Sequence, residues 1–548
     1  MMSIKKYVKT GFVLFCVGMI TVGCSSDFLD RPSLGSLDEQ TYINTEDAGY
    51  KLLVQCYQPI LNHWDYQTMK FDLGDQLTDD ATKGGSDAGD RVGITEITRG
   101  NPLATNAILT SLWNHRYQQA ISHCNVFLQL VSPETQLIQA GGALVSENTK
   151  KRWIAEVYFL RAFYYYDLAT IFGNIPLIDK PLNAIDKSTI TKSAKEEVMK
   201  FILADLDKAI GAAELPNAKS LPAAEIGRIT KEAAMAFRAR VNMFYGDYEA
   251  AKTDLKTVIE SGSYELIDNY EDLFNSAEKG YTSKESVFIT LRSYIPNFTG
   301  GSVCPQMNVG RAGTGGWGGE CPTHDLVKEY EEGDPRLVHT VLSSGDIFMK
   351  PDGTEELHDY SGYDNFPQQH SRKQYPDWSR RPIGSLLETD WTFYHIRYAD
   401  VLLMYAECLI ETGGDKQEAV DIINRIRYRA FVTTSPVDSY AKYRKFNIAE
   451  DKRVSEDVFN SKYKVKVTDD LRAALRHERR VELAGEGLRL YDLLRWGIFV
   501  EKMKAISQTP EGKYSGAGQN VSDKTWPYPI PQNEIDYVGG ALTQNDNY

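Results

Sequence analysis

Thr230 to Ser261 reads TKEAAMAFRARVNMFYGDYEAAKTDLKTVIES. Its first half places Ala233, Ala236, Phe237, Ala239, Arg240 and Phe244 three and four apart, the spacing that lines one face of a helix. Gly246-Asp247-Tyr248 interrupts that rhythm, and Ala250, Ala251, Leu255, Val258 and Ile259 resume it. The segment therefore predicts two helices joined by a tight turn. Small alanines near the middle of each helix would let the pair approach closely.

The same plan recurs along the chain. Arg397 to Arg427 carries Ala399, Leu402, Leu403, Ala406 and Leu409, turns at Gly413-Gly414-Asp415, and continues with Ala419, Ile422, Ile423 and Ile426. Arg152 to Phe172 is the strongest single helix, with Ala155, Tyr158, Phe159, Ala162, Phe163, Tyr166 and Ala169 on one broad face; Gly173-Asn174 should end it. Asn114 to Leu130 is a shorter candidate. Hairpins with a Gly-Asp-Tyr turn are typical of tetratricopeptide units. Their spacing here is uneven, however, and the stretch 277–396, rich in Trp, Tyr and Gly, separates them. That stretch is too aromatic for a disordered linker and is expected to form an irregular subdomain packed on the helices.

The ends and the charge narrow the function. Lys5, Lys6 and Lys9 precede an apolar run of 12 residues, Gly11 to Val22, and then Gly23-Cys24. The order is that of a secretory signal peptide, residues 1–23, and the run falls short of the roughly 20 residues a spanning helix needs. A Cys directly after the small residue resembles a bacterial lipobox, with Thr21 departing from the usual Leu. Cys24 is thus the expected lipidation site, and residues 24–548 the mature unit. The formal charge is −14; loss of three lysines leaves 58 basic against 75 acidic residues, or −17. So acidic a chain is a poor polyanion binder, which argues against nucleic acid as a partner. Of the remaining cysteines, Cys56, Cys124 and Cys408 lie in apolar helical patterns and are expected as buried small hydrophobes. Cys304 and Cys321 flank a loop in an oxidising compartment, where a disulfide between them is an open alternative to free thiols.

Several segments together carry a family resemblance. They are Cys24-Ser-Ser-Asp-Phe-Leu-Asp-Arg-Pro32; Ala155 to Leu168 running into Phe172-Gly-Asn-Ile-Pro-Leu-Ile178; and Ile396 to Glu407 followed by Ile423-Asn-Arg-Ile-Arg427. Arg476 to Gly487, Asp492-Leu-Leu-Arg-Trp-Gly497, Pro527-Tyr-Pro-Ile-Pro-Gln532 and Leu542-Thr-Gln-Asn545 complete the set. In this order they resemble the SusD/RagB family of outer-membrane nutrient-binding lipoproteins of Bacteroidetes. The resemblance implies a mainly α fold. Four tetratricopeptide-like hairpins (residues 24–276 and 397–548) would form the scaffold, with the irregular ligand-face insertion 277–396 packed on it. It also implies a surface-exposed, lipid-anchored role at the outer membrane: binding a nutrient, most readily an oligosaccharide, and passing it to a SusC-like TonB-dependent transporter. A peptide- or protein-binding member, or a surface glycoside hydrolase, are the alternatives.

Four residues are singled out for the ligand. Trp317, between Gly315-Gly316 and Gly318-Gly319, is a candidate platform for the apolar C–H face of a sugar; the competing reading has its ring folded inward as a plug. Tyr294 is a second stacking candidate. Asp79 and Arg91 fall in an early loop, 72–101, resembling one that family members place at the ligand face, and could grip hydroxyls. Trp64, Trp378 and Trp391 stay in reserve, whereas Trp113, Trp153 and Trp496 read as core. Glu478, Glu482 and Glu486, four apart among Arg476, Arg479 and Arg480, show the spacing of ion pairs along one helix. The spacings of Asp79-Asp80 and of Glu407 with Glu411 neither prove nor exclude a catalytic pair, and the resemblance implies a non-catalytic protein. The nine His occur singly, with no His-Glu-x-x-His or Cys-x-x-Cys motif. The expectation is no enzyme, on the resemblance, and no metal or cofactor, on the motifs.

Overall fold

The computed structural model describes residues 42–62, 68–85, 89–182, 185–275, 280–293, 301–309, 316–350, 352–358, 368–376, 389–434, 444–445 and 454–548. Among the described residues, eight helical rods pack one on the next in chain order, the number that four hairpins require. The first joins α1 (Ala107–Asn114) to α2 (Ser122–Leu130) through a π-turn, His115–Ile121. Then follow α3 (Glu147–Phe172), α4 (Lys195–Gly211), α5 (Lys231–Phe244), α6 (Tyr248–Glu260), α7 (Tyr398–Glu411), α8 (Lys416–Tyr428) and α9 (Leu471–Leu483).

Local chemistry sets the ends. Thr230 accepts from Ala233 N to start α5, and Asp247 accepts from Ala250 N to start α6. Gly246 between them takes φ +89, a conformation that glycine enters without steric cost. Asp415 and Gly413, at φ +67, do the same between α7 and α8. Helix α3 begins five residues before the expected Arg152, because Ser146 caps it by accepting from Thr149 N. Its second half, Phe159 to Phe172, is buried all round, since α2, α4 and α5 pack on it and the strands Ser286–Thr290 and Phe393–Arg397 cover what they leave. Phe159 and Phe163 meet Phe237 at 5.5 and 5.3 Å, and Phe159 meets Phe288 at 5.2 Å.

The irregular stretch forms short antiparallel pairs. The strands are β1 (Ala81–Lys83), β2 (Ser286–Thr290), β3 (Glu320–Pro322), β4 (Val341–Ser343), β5 (Ile347–Met349), β6 (Glu355–Leu357), β7 (Gln369–Ser371), β8 (Phe393–Arg397) and β9 (Arg444–Lys445). They pair as β1–β3, β2–β8, β4–β7 and β6–β5–β9. Contacts divide the chain into two compact units. Leu52–Glu134 with Ser146–Tyr548 holds the helices and this stretch together; Met1–Lys51 with Thr135–Val145 is the other. Within the smaller one, Asp47 Oδ1 accepts from Ala140 N and Glu46 Oε1 from Gly141 N.

The acid-and-arginine segment on α9 is structural, by a different geometry from the expected pairing along the helix. Glu478, Glu482 and Glu486 turn instead to other elements. Arg336 donates to Glu478 (2.6 Å) and Glu482 (3.0 Å), and Arg427 to Glu478 (3.0 Å). Arg397, on β8, reaches Glu482 (2.7 Å) and Glu486 (2.8 Å). Arg479 binds Asp400 of α7 and Asp492. The groups are buried, so each charge needs a partner and a hydrogen bond to be tolerated at all. This knot fastens α7, α8, β8 and α9 to one another.

Candidate functional site

The β1–β3 ladder continues past its strands. Gly84 N donates to Gly319 O (3.0 Å) and Gly85 N to Gly318 O (2.7 Å). The two backbones approach so closely that a Cβ on Gly84 would lie 2.0 Å from Gly318 O. From the other side the helix Cys304–Asn308 holds the same strap. Trp317 N donates to Gln306 O (2.6 Å), Gly318 N to Val309 O (2.7 Å) and Gly319 N to Met307 O (2.8 Å). The backbone around Trp317 is thus fixed on both sides while the residue is 44% exposed. A rigid backbone carrying a half-exposed indole offers a flat apolar face without an ordering cost on binding.

Two polar side chains stand at this end of the ribbon, and neither is singled out in the sequence. Lys83, half-exposed, closes β1. Asp90 rests its carboxylate against Gly85, where a Cβ would meet Oδ2 at 2.4 Å. The Gly84-Gly85 pair was the available signal, since adjacent glycines after a short strand mark a close backbone approach. Arg91 follows at φ +52 and precedes the helix Val92–Arg99. Its guanidinium pairs with buried Asp72 and a quarter of the side chain stays exposed. Burial, helped by the charges of Asp72 and Asp80 against a hydrogen bond from Gln374, pushes Glu320 of β3 up to about 8.

Asp79 is placed otherwise than expected. It is 1% exposed, and Arg489 donates to both of its oxygens at 2.8 Å. Burial works to raise its pKa, but Arg489 and Arg480 outweigh that and hold the carboxyl far below the usual range. A carboxylate so engaged has no face left for a sugar hydroxyl, and Asp79 belongs to the structural knot. The early segment is likewise no open loop: a π-turn (Thr68–Leu73), β1 and the helix Val92–Arg99 fill it. Asp75 accepts from Gly487 N and Asp80 from Arg480 Nε, both buried. Trp391 is core, its Nε1 donating to Lys373 O (2.9 Å). Trp113 and Trp153 are buried as expected, while Trp496 is half-buried against Arg476 and Arg495. Cys304 and Cys321 are buried free thiols and form no disulfide; burial raises them to about 11 and 12. Cys24, Tyr294, Trp64 and Trp378 lie outside the described residues.

The acids weighed for catalysis are committed elsewhere. Glu407 is held by Arg495 and by Trp496 Nε1 (2.7 Å), and Glu411 by Arg472 (2.7 Å). Among the described residues no group of three or more His, Cys, Asp or Glu is arranged to hold a metal ion. Nor is any described helix long and apolar enough to cross a membrane.

The comparison with known proteins turns on the half of the chain that holds this strap and the charged knot. A profile described as the SusD family matches residues 273–548. The chain belongs to the SusD family. A second profile, described as starch-binding associating with outer membrane, matches residues 27–243 of this SusD-family protein. A SusD-like protein of Formosa agariphila is 24% identical over 565 residues, covering 99% of this chain and 100% of its own. A solved SusD-like carbohydrate binding protein from Bacteroides fragilis is 27% identical with a TM-score of 0.72, covering 92% of this chain and all of the other. The surface glycan-binding protein A of Bacteroides fluxus is 25% identical with a TM-score of 0.68, over the same shares. The helical scaffold with short irregular strands is therefore the SusD-like fold.

Proposed function

We propose that this SusD-family protein binds an oligosaccharide at the cell surface and delivers it to a SusC-like TonB-dependent transporter, without catalysing a reaction. The observation that carries the reading is Trp317, half-exposed on a strap whose backbone is pinned by β1 and by Cys304–Asn308. Lys83, Asp90 and Arg91, at the β1 end of the same ribbon, are proposed to bond the hydroxyls of a pyranose stacked there. Tyr294 is proposed as a second stacking ring. The solved relatives from Bacteroides fragilis and Bacteroides fluxus bear names that speak of carbohydrate and glycan binding. Lipid on Cys24 would supply the anchor, since no described helix is suited to span.

Isothermal titration of the mature protein against a panel of oligosaccharides tests the binding step. At least one glycan should bind, and Trp317→Ala should weaken it by about tenfold or more, roughly 1.4 kcal/mol. Unchanged affinity in the variant would remove Trp317 from the site. Binding of peptides alone would replace the glycan reading, and release of reducing sugar would overturn the non-catalytic one. Protease shaving of intact cells, with Cys24→Ala as control, tests the anchor. Co-purification of a transporter tests the partner.

A further inference from the structure

A cavity of about 350 Å³ lies between the α1 rod and the C-terminal tail, and shares no residue with the Trp317 strap. The tail is fastened around it: Gln532 N donates to Ala104 O (2.9 Å), Lys192 Nζ to Gln544 O (2.7 Å), and Asn545 Nδ2 to Phe172 O (2.9 Å). The space is therefore preformed and not a gap under a loose end. Its walls include Trp113 and Tyr117, whose ring centroids are 4.8 Å apart, with Ile178 and Leu542; Tyr537 and Glu534 stand at its edge.

Three aromatic rings and one carboxylate around an apolar space define a narrow ligand chemistry. Ring faces carry negative potential and attract cations, most strongly where water is excluded. Lys187 Nζ sits 3.8 Å from the Tyr537 centroid, so that ring already holds a positive charge and a ligand cation is left Trp113 and Tyr117. Glu534 accepts from Asn533 Nδ2 (2.9 Å), and no basic side chain among the described residues pairs with it. Burial alone lifts its carboxyl above the ordinary range. An anion would be repelled here, and a neutral sugar would leave the aliphatic walls unmatched and the carboxylate uncompensated. A cation on an apolar body satisfies walls, rings and carboxylate together.

We propose that this cavity is a second ligand site of the protein, taking an organic cation: an ammonium group carried on an aryl or short alkyl body. Titration of the full mature protein with 2-phenylethylammonium and with its neutral isostere 2-phenylethanol, at pH 7.5, tests it. The cation should bind one per chain and at least about tenfold more tightly than the alcohol. Glu534→Gln should abolish that difference, and Val538→Trp, which fills the cavity, should abolish binding of both. Glycan binding should survive in both variants. Equal affinity for cation and alcohol, absence of saturable binding, or cation binding unaffected by Val538→Trp would each overturn the proposal. If Val538→Trp fails to fold, the charge preference and its loss in Glu534→Gln decide alone.

Discussion

Arg489 clasps Asp79 with two parallel hydrogen bonds of 2.8 Å across a sequence separation of 410 residues. The pair welds the start of β1 to the segment after α9, and both partners are buried. Removing Asp79 leaves buried Arg489, among the described residues, with only Asp80, 3.8 Å away and shared with Arg480, at a cost of about 3–5 kcal/mol. Asp79→Ala should accordingly lower stability in chemical denaturation by that order. Glycan affinity of the folded protein should be nearly preserved. Lost affinity at unchanged stability would return Asp79 to the ligand site.

Gly84 tests the platform from below. Its substitution meets no strain from the backbone angle, only from space, because the added carbon would stand 2.0 Å from Gly318 O. Gly84→Ala must push the strap away from β1 and shift the Trp317 ring with it. Overpacking of this kind costs about 1–3 kcal/mol. The variant should melt lower and bind glycan more weakly, whereas Gly211→Ala, where nothing stands within 4 Å, should do neither.

What could be read in the sequence was what is decided locally. The hairpin around Gly246-Asp247-Tyr248 was legible because periodicity, cap and left-handed glycine all lie within thirty residues of one another. The display of Trp317 followed from its flanking glycines, but its neighbours Lys83 and Asp90 depend on a pairing of β1 with β3 that no local pattern announces. Asp79 misled for the same reason. Its segment resembles one that the family places at the ligand face, and the arginine that engages it lies far along the chain. The four-residue spacing of Glu478 and Glu482 likewise predicted partners on their own helix, whereas Arg336, Arg397 and Arg427 supply them. Burial explains the difference: it favours arginines brought in from other elements, which leave less of each charge facing water than neighbours on one surface do.

Glu320 makes stability fall as pH rises. Burial, with Asp72 and Asp80 nearby, raises it to about 8 in the fold, against an ordinary value near 4.5. A raised carboxyl binds more protons folded than unfolded, so stability declines between about 4.5 and 8. Glu320→Gln keeps the neutral shape and can still accept from Gln374. The variant should match the parent near pH 4.5 and exceed its melting temperature at pH 8.5. Parallel melting curves across that range would show that Glu320 is charged in the fold.

His477 acts in the next window upward. Burial alone would lower its pKa, but the hydrogen bond to Glu329 and the Glu331 carboxylate 3.6 Å from Nε2 outweigh burial and raise it to about 9. The same contacts, with Arg480 and Arg427, overcome burial at the two acids and hold each near 2. A raised imidazole stabilises the fold fully below its unfolded value of about 6.5, and that contribution disappears as pH climbs through 9. With His477 Nδ1 2.7 Å from Glu329 and its side chain 23% exposed, the contribution is up to about 3 kcal/mol. His477→Gln keeps a donor but not the titrating charge. The stability gap between parent and variant, read by denaturant unfolding, should be largest at pH 6 and close between pH 6.5 and 9. A gap that stays constant over this span would mean that His477 carries no proton-linked charge in the fold.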